Sequence, residues 1–325
     1  MSEPTFVAII DPLSVLKPEK DSTIAMLESA QHRAWKIGVI EADHLSWSQT
    51  TGVVAQVKWI RVDRHKQPWY EIKNTQQCAL SQLTVVLLRK DPPFDAEYVT
   101  LTWLLDRAEA EGALILNRPS AVRDHNEKFA IASYPDLTAP TLVSKNQAQL
   151  KDFLQRHEQA ICKPLEGMGG ESIFRLSKTD PNVGVILETL TLRGKKTVMI
   201  QKYIPEISQG DKRILLINGE PAPFVLARIP KQGEHRGNLA AGGTARAQPL
   251  SDVDHQIALK VGPALAKKGL FLIGLDVIGH YLTEINVTSP TCFREIQEQT
   301  GYSVADSFVQ SVEALVAATP PQGGY

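Results

Sequence analysis

Residues 274–291, GLDVIGHYLTEINVTSPT, restrict the fold more than any other stretch of the chain. Two apolar runs flank Gly279-His280, the pattern of a β-hairpin. Asp276 falls on the first strand, Glu284 and Asn286 on the second. A spacing of two points Glu284 and Asn286 to one face of their strand. Carboxylate and amide oxygens, with no His or Cys among them, suit a hard cation such as Mg²⁺ rather than zinc. Taken alone, the same residues also describe the solvated face of an edge hairpin. Register separates the two readings. A two-residue loop at Gly279-His280 pairs Asp276 with Thr283 and turns it away from Glu284. A three-residue loop, or an equivalent bulge, pairs Asp276 with Glu284 and collects all three oxygen side chains. We expect the second arrangement.

The rest of the composition narrows the class. A chain of 325 residues holds two or three domains and can bury a substantial core. Its 35 basic and 36 acidic residues nearly cancel, which gives no global electrostatic case for nucleic acid or an anionic membrane. No apolar run approaches the roughly 20 residues of a membrane helix. Residues 6–10 are too short for a signal-type apolar segment and read as a strand. Cys78, Cys162 and Cys292 are far apart and lack CxxC spacing, so neither a disulfide framework nor a zinc knuckle is expected. We therefore expect a cytoplasmic protein.

In order, a strand at 6–10, a helix over 23–36 ended by Gly38 and a strand at 39–42 form a β-α-β unit, which implies a parallel sheet. Residues 53–62 and 69–73 suggest a meander. The apolar run 83–88 is a strand buried on both faces, followed by a helix over 96–111 and a strand at 113–116. A helix over 120–132 then carries Asn126-Glu127-Lys128. Strands at 140–143, 160–164, 172–176 and 198–203 alternate with helices over 146–157 and 183–192. Strands at 212–217 and 222–228 join through Asn218-Gly219, a strong turn signal. Residues 229–244 are glycine-rich and charged with no periodicity, the mark of a functional loop. Helices over 251–268 and 303–317 enclose the hairpin, and 320–325 reads as a frayed tail.

Two phosphate-binding features stand out. Lys163 ends a strand and is followed by Gly167, Gly169 and Gly170. Glycines let backbone N–H groups converge on an anion, and a nearby lysine supplies a point charge. Neither GxxxxGK[ST] nor GxGxxG occurs, so this is neither a P-loop nor a dinucleotide fingerprint. A plain turn between antiparallel strands also explains it. Lys128 is a second candidate.

Lys128, Lys163 with Gly167-Met168-Gly169-Gly170, Gln201-Lys202-Tyr203-Ile204, Asp211-Lys212-Arg213 and Asp276…Glu284-x-Asn286 fall in the order of the ATP-grasp fold. More narrowly, Lys90-Asp91-Pro92-Pro93-Phe94-Asp95, Asn126-Glu127-Lys128, Arg228-Ile229-Pro230, the segment from Arg236 to Gly243 and the segment from Thr283 to Thr291 resemble the bacterial glutathione synthetases. The resemblance covers nearly the whole chain and is weakest over 45–80.

The resemblance implies an α/β (α+β) ATP-grasp architecture. An N-terminal open parallel-sheet domain (1–122) precedes two α+β subdomains that sandwich ATP (123–202 and 203–318), and 319–325 is a tail. It implies ATP-dependent ligation of γ-glutamylcysteine to glycine, using ATP and Mg²⁺ (Mn²⁺ tolerated). By the family pattern Lys128, Lys163, Gly167, Met168, Gly169, Gly170, Gln201, Tyr203, Ile204, Asp211 and Asn286 contact the nucleotide. Asp276, Glu284 and Asn286 hold the metal. Arg213, Arg228 and Arg236 are the catalytic candidates. Asp11, Lys90, Asp91, Arg228, Arg236, Asn238, Ser289 and Thr291 are the substrate candidates. One departure is Thr244, where relatives often carry a basic residue; Arg246 lies two further on. Relatives are homo-oligomers, commonly tetramers. The alternatives are an ATP-grasp ligase with a different amino-acid acceptor, or a non-catalytic ATP-binding regulatory protein. Cys292 has no assignable base and reads as a packed small residue.

Overall fold

The structure, a computed structural model, describes residues 3–231, 233, 237 and 242–318. The first sheet is built on β1 (Thr5–Ile10), α1 (Ser22–His32) and β2 (Lys36–Glu41), with β1 and β2 parallel. Asp21 caps α1 by accepting from Ile24 N at 2.8 Å. Gly38 does not end the helix as the sequence suggested; it lies inside β2. A Cβ there would meet Val57 Cγ1 at 2.8 Å, so this glycine lets two strands' side chains pack closely. β3 (Leu45–Ser48), β4 (Gly52–Val62) and β5 (Tyr70–Ala79) extend the sheet with antiparallel pairs. β6 (Val85–Leu88), α2 (Ala96–Ala110), β7 (Ile115–Leu116) and α3 (Pro119–Arg123) follow. The order is β3-β4-β2-β1-β6-β7, with β5 on β4. The expected parallel sheet therefore occupies one half, and the meander is larger than foreseen.

The helix expected over 120–132 is broken. α3 stops at Arg123, and a 3₁₀ turn runs from Phe129 to Ser133. Asn126 is the cause: its Oδ1 accepts from Lys128 N and Phe129 N, a local bond that competes with helix continuation. Asn126-Glu127-Lys128 consequently sits in an open turn.

The middle sheet comprises β8 (Thr141–Ser144), β9 (Gln159–Pro164), β10 (Phe174–Ser177) and β11 (Val198–Lys202), antiparallel in the order β10-β9-β11-β8. α4 (Gln147–His157) and α5 (Val183–Leu190) cover one face with Leu150, Phe153 and Leu187, packed against Cys162, Val198 and Ile200. The third sheet contains β12 (Asp211–Ile217), β13 (Glu220–Pro221), β14 (Phe224–Ile229), β15 (Thr244–Pro249), β16 (Leu272–Ile278) and β17 (Tyr281–Asn286). Its order is β15-β14-β12-β16-β17, with β13 on β12. α6 (Asp252–Ala266), α7 (Phe293–Thr300) and α8 (Val304–Ala318) complete the chain. β15 and α7 carried no sequence signal that we read.

The apolar cores join the first and third sheets. Ile9 of the first sheet and Leu216 of the third share one apolar cluster; Phe6 and Leu215 share another. The middle sheet has its own smaller core. Asn117 joins the first and third sheets by polar bonds as well. Its Nδ2 donates to Leu272 O and Val287 O, each at 2.8 Å, and its Oδ1 accepts from Phe271 N and Leu272 N at 2.7 and 2.8 Å. The buried amide is fully satisfied. Asn117→Ala would strand those four backbone groups, and we expect a loss of about 3 kcal/mol in denaturant unfolding. A loss below about 1 kcal/mol would show that the apolar cores alone hold the two sheets together.

Candidate active site

Strand alternation sets the walls of the main cavity. On β9, Ala160 and Cys162 enter the middle core, leaving Ile161 and Lys163 on the opposite face; on β11, Val198 and Ile200 enter it, leaving Met199 and Gln201. Ile161, Lys163 and Gln201 line a cavity of about 370 Å³, whose far wall is formed by Asp211, Arg213, Asp276, Glu284 and Asn286 of the third sheet. The first sheet contributes Asp91, and the segment after β17 contributes Ser289 and Thr291.

Between β9 and β10, Gly167, Gly169 and Gly170 adopt positive φ of 93, 68 and 81°, a conformation that costs other residues strain. Added Cβ atoms at Gly167 and Gly169 would meet nothing within 4 Å, so backbone conformation rather than crowding selects glycine there. All three, with Met168, line the cavity. Lys128 Nζ donates to Gly167 O at 2.9 Å and Asn126 Nδ2 to Leu165 O at 3.2 Å, which holds the loop at its base.

The hairpin closes on a two-residue turn, since Ile278 pairs with Tyr281, and a bulge then restores the register that collects the oxygens. Asp276 pairs with Glu284, Gly274 with Asn286, and Thr283 is the extra residue, its hydroxyl donating to Asp276 O at 3.0 Å. The bulge, not a three-residue loop, brings Asp276 and Glu284 opposite one another. On the other side of β16, Asp276 pairs with Arg213 of β12. A row Arg213–Asp276–Glu284 thus crosses three adjacent strands. Gly274 makes room for it, because a Cβ there would meet Arg213 Cδ at 2.8 Å.

Charge pairing in this row is dense. Arg213 grips Asp276 with two bonds, Nε to Oδ1 at 2.6 Å and Nη2 to Oδ2 at 2.8 Å. Arg228 Nη2 lies 2.9 Å from Asp276 Oδ2 and 2.5 Å from Asp211 Oδ2. Lys163 Nζ reaches Glu284 Oε1 at 3.3 Å. Burial opposes ionisation of Asp276, but Arg213 and Arg228 together outweigh it and hold the carboxyl well below its usual range. Burial likewise works against the Glu284 charge, and Lys163 and Lys128 overcome it. Asp211 behaves oppositely. Burial pushes it up to about 7, despite Arg228, with the charges of Asp276 and Glu284 adding to the rise. Both arginines remain protonated: burial disfavours the charge, and Asp276 for Arg213 and Asp211 for Arg228 more than compensate. Asp211 Oδ1 is buried and has no hydrogen-bond partner among the described residues.

The remaining candidates divide. Gln201, Tyr203 and Ile204 line the cavity; Gln201 Nε2 donates to Thr141 Oγ1 at 2.9 Å, and the Arg175 guanidinium stacks 4.0 Å from the Tyr203 ring centre. Asp91, Ser289 and Thr291 also line it, and burial raises the Asp91 carboxyl, partly offset by the Ser289 hydroxyl. Asp11 and Lys90 are ion-paired at 2.8 Å and do not line it, although Asp11 Oδ2 accepts from Asp91 N. Arg236 and Asn238 lie outside the described residues. Gly237 lines the cavity and rests on the charge row, where a Cβ would meet Arg228 O at 2.6 Å. Cys292 is buried at 2% exposure, and burial raises its thiol. Sequence reasoning missed the apolar wall of Ile161, Ile173, Ile207 and Ile278. Alternation along β9 and β16 held that signal. Glu127, Thr283 and Thr288 line the cavity too; all three lie inside segments that carry the resemblance, but none was assigned a role.

Residues 5–123 match the family described as "Prokaryotic glutathione synthetase, N-terminal domain", and residues 127–301 the family "Prokaryotic glutathione synthetase, ATP-grasp domain". The chain is 52% identical over 289 residues to the glutathione synthetase of Photorhabdus laumondii, covering 89% of this chain and 91% of that one. It is 49% identical over 308 residues to that of Vibrio parahaemolyticus (95% and 97% covered) and 50% identical over 317 residues to that of Ralstonia nicotianae (97% of each). Among solved structures, D-cycloserine synthetase DcsG superposes with a TM-score of 0.65 at 14% identity (95% and 99% covered). The D-alanyl-alanine synthetase A of Vibrio cholerae superposes with 0.59 at 13% (98% and 100%). The ATP-grasp ligase PsnB superposes with 0.62 at 14% (96% and 98%), which with the ATP-grasp domain match establishes the fold, and the sequence relatives establish the family. The chain belongs to the prokaryotic glutathione synthetases, ATP-dependent ligases of the ATP-grasp fold.

Proposed function

We propose that this chain joins the C-terminal carboxylate of γ-L-glutamyl-L-cysteine to the amine of glycine, forming glutathione as ATP is converted to ADP and phosphate. One observation carries the reading. A single cavity brings the lysine-and-glycine cradle of the middle sheet against the guanidinium–carboxylate row of the third, in a chain of this family.

A carboxylate is a poor electrophile, so the dipeptide first takes the γ-phosphoryl group, and the glycine amine then displaces phosphate from the acyl phosphate. Such chemistry needs positioning and charge neutralisation rather than a protein nucleophile. Lys128, Lys163 and the amides of 167–170 hold the triphosphate. Gln201, Tyr203 and Ile204 hold adenine against the apolar wall, and the free Oδ1 of Asp211 faces a ribose hydroxyl. Arg213 and Arg228 balance the charge of the phosphorylated carboxylate. Asp91, Ser289 and Thr291 grip the dipeptide and glycine, with Asp11 and Lys90 supporting Asp91.

The oxygen set also fits Mg²⁺, a hard cation. Asn286 uses its nitrogen on Gly274 O at 3.2 Å, which leaves its oxygen for a cation. Glu284 gives one oxygen to Lys163. The Asp276 carboxylate accepts three arginine bonds, against about four sites in a carboxylate. Asp276, Glu284 and Asn286 would hold the cation, which would supply charge neutralisation and Lewis-acid polarisation there.

Phosphate release should require both γ-glutamylcysteine and glycine, and oxygen-18 in the dipeptide carboxylate should appear in the released phosphate. Glu284→Gln should lower kcat on the order of 10²-fold. ATP binding without dipeptide-dependent release would sink the reading, and turnover with another amino acid but not glycine would assign a different acceptor.

We also place the chain in the cytoplasm as a homotetramer. Its three cysteines are free and buried, and no helix of the described residues is long and apolar enough to cross a membrane. Light scattering should return about four times the 35.8 kDa chain mass. A monomer mass at working concentration would contradict the assembly.

A further inference from the structure

Glu127 lies between two residues that hold the glycine loop, yet its own bonds run the other way. Its backbone O accepts from Ile285 N at 2.8 Å. Its Oε1 accepts from Val287 N at 2.8 Å, Thr288 N at 3.0 Å and Thr288 Oγ1 at 2.8 Å. β17 is the last strand of its sheet, and an edge strand presents unpaired N–H groups at every second residue. Ile285 and Val287 are two such positions, and they flank Asn286. Glu127 therefore takes the place of a missing neighbour strand, supplying one acceptor from its backbone and one from its carboxylate.

We infer that Glu127 is a positioning residue that fixes the end of β17, and with it the Glu284 and Asn286 oxygens, against the glycine loop. The inference rests on the cation site proposed above. Three consecutive residues then span the cavity. Asn126 and Lys128 bind the loop at Leu165 O and Gly167 O, and Glu127 binds the strand. A slip or fray of β17 would carry both oxygen donors away, because a one-residue shift turns every side chain to the other face. The role needs an acceptor at this reach, not a negative charge. Glutamine keeps the acceptor; alanine removes it.

The test measures ATP-analogue binding by calorimetry across a Mg²⁺ titration, alongside unfolding, for wild type, Glu127→Ala and Glu127→Gln. Glu127→Ala should raise the Mg²⁺ concentration for half-maximal binding roughly 10–100-fold, the range seen when a group supporting a metal ligand is lost. Its affinity at saturating Mg²⁺ should stay within about threefold of wild type, and Glu127→Gln should stay close to wild type throughout. If Glu127→Gln is as impaired as Glu127→Ala, the charge itself is used and the positioning role is wrong. An unchanged Mg²⁺ requirement in Glu127→Ala also overturns it. Wild-type binding that ignores Mg²⁺ would instead remove the cation site and leave the bonds to Glu127 purely structural.

Discussion

Asp276 held between Arg213 and Arg228 is the interaction on which the site depends. Two guanidinium groups at 6% and 5% exposure would be prohibitive without a counter-charge, and Asp276 touches both. Asp211 completes the pairing of Arg228. The strand order β14-β12-β16-β17 places these side chains side by side, so sheet assembly and charge compensation are one event. The bulge at Thr283 then adds Glu284 to the row on its far side. Without the bulge Glu284 would face the apolar core, where Leu282 and Ile285 now sit.

Around this fixed row the architecture divides the labour. The first and third sheets share continuous apolar clusters and the four bonds of Asn117, which makes them one platform on one side of the cavity. The middle sheet, with its separate core, presents Lys163 and the glycine loop to that platform. Polar contacts link the two across the cavity: Lys163 to Glu284, and the 126–128 turn to both sides. A phosphate bound at the loop would compete with Glu284 for Lys163.

Much of this was legible in the sequence because it rests on local rules. The spacing of Glu284 and Asn286 and the glycines after Lys163 each follow from geometry within a few residues. The hairpin register was legible as a pairing of Asp276 with Glu284 through a three-residue loop or an equivalent bulge, and the structure takes the bulge. What local rules could not give was partnership. Arg213 and Arg228 read as free cations for a substrate, whereas strand order joins both to Asp276 before any ligand arrives. Glu127 looked like a residue within a helix, and the Asn126 side chain that opens that helix is what frees it to reach β17. β15 and α7 were missed because they are short and poor in apolar residues: β15 is a largely polar edge strand of the third sheet, and α7 buries only Phe293 and Ile296 as apolar side chains.

The most direct measurement is the unfolding free energy and ATP affinity of Asp276→Asn compared with a variant that removes the buried charges together, the triple Arg213→Met, Arg228→Met and Asp276→Leu on an Asp211→Asn background. The account predicts that Asp276→Asn alone loses about 3–5 kcal/mol of stability, since two arginines are left buried without their shared partner. The triple variant should recover most of that stability while failing to bind ATP productively. Near-native stability in Asp276→Asn would contradict the claim that this carboxylate holds the site together.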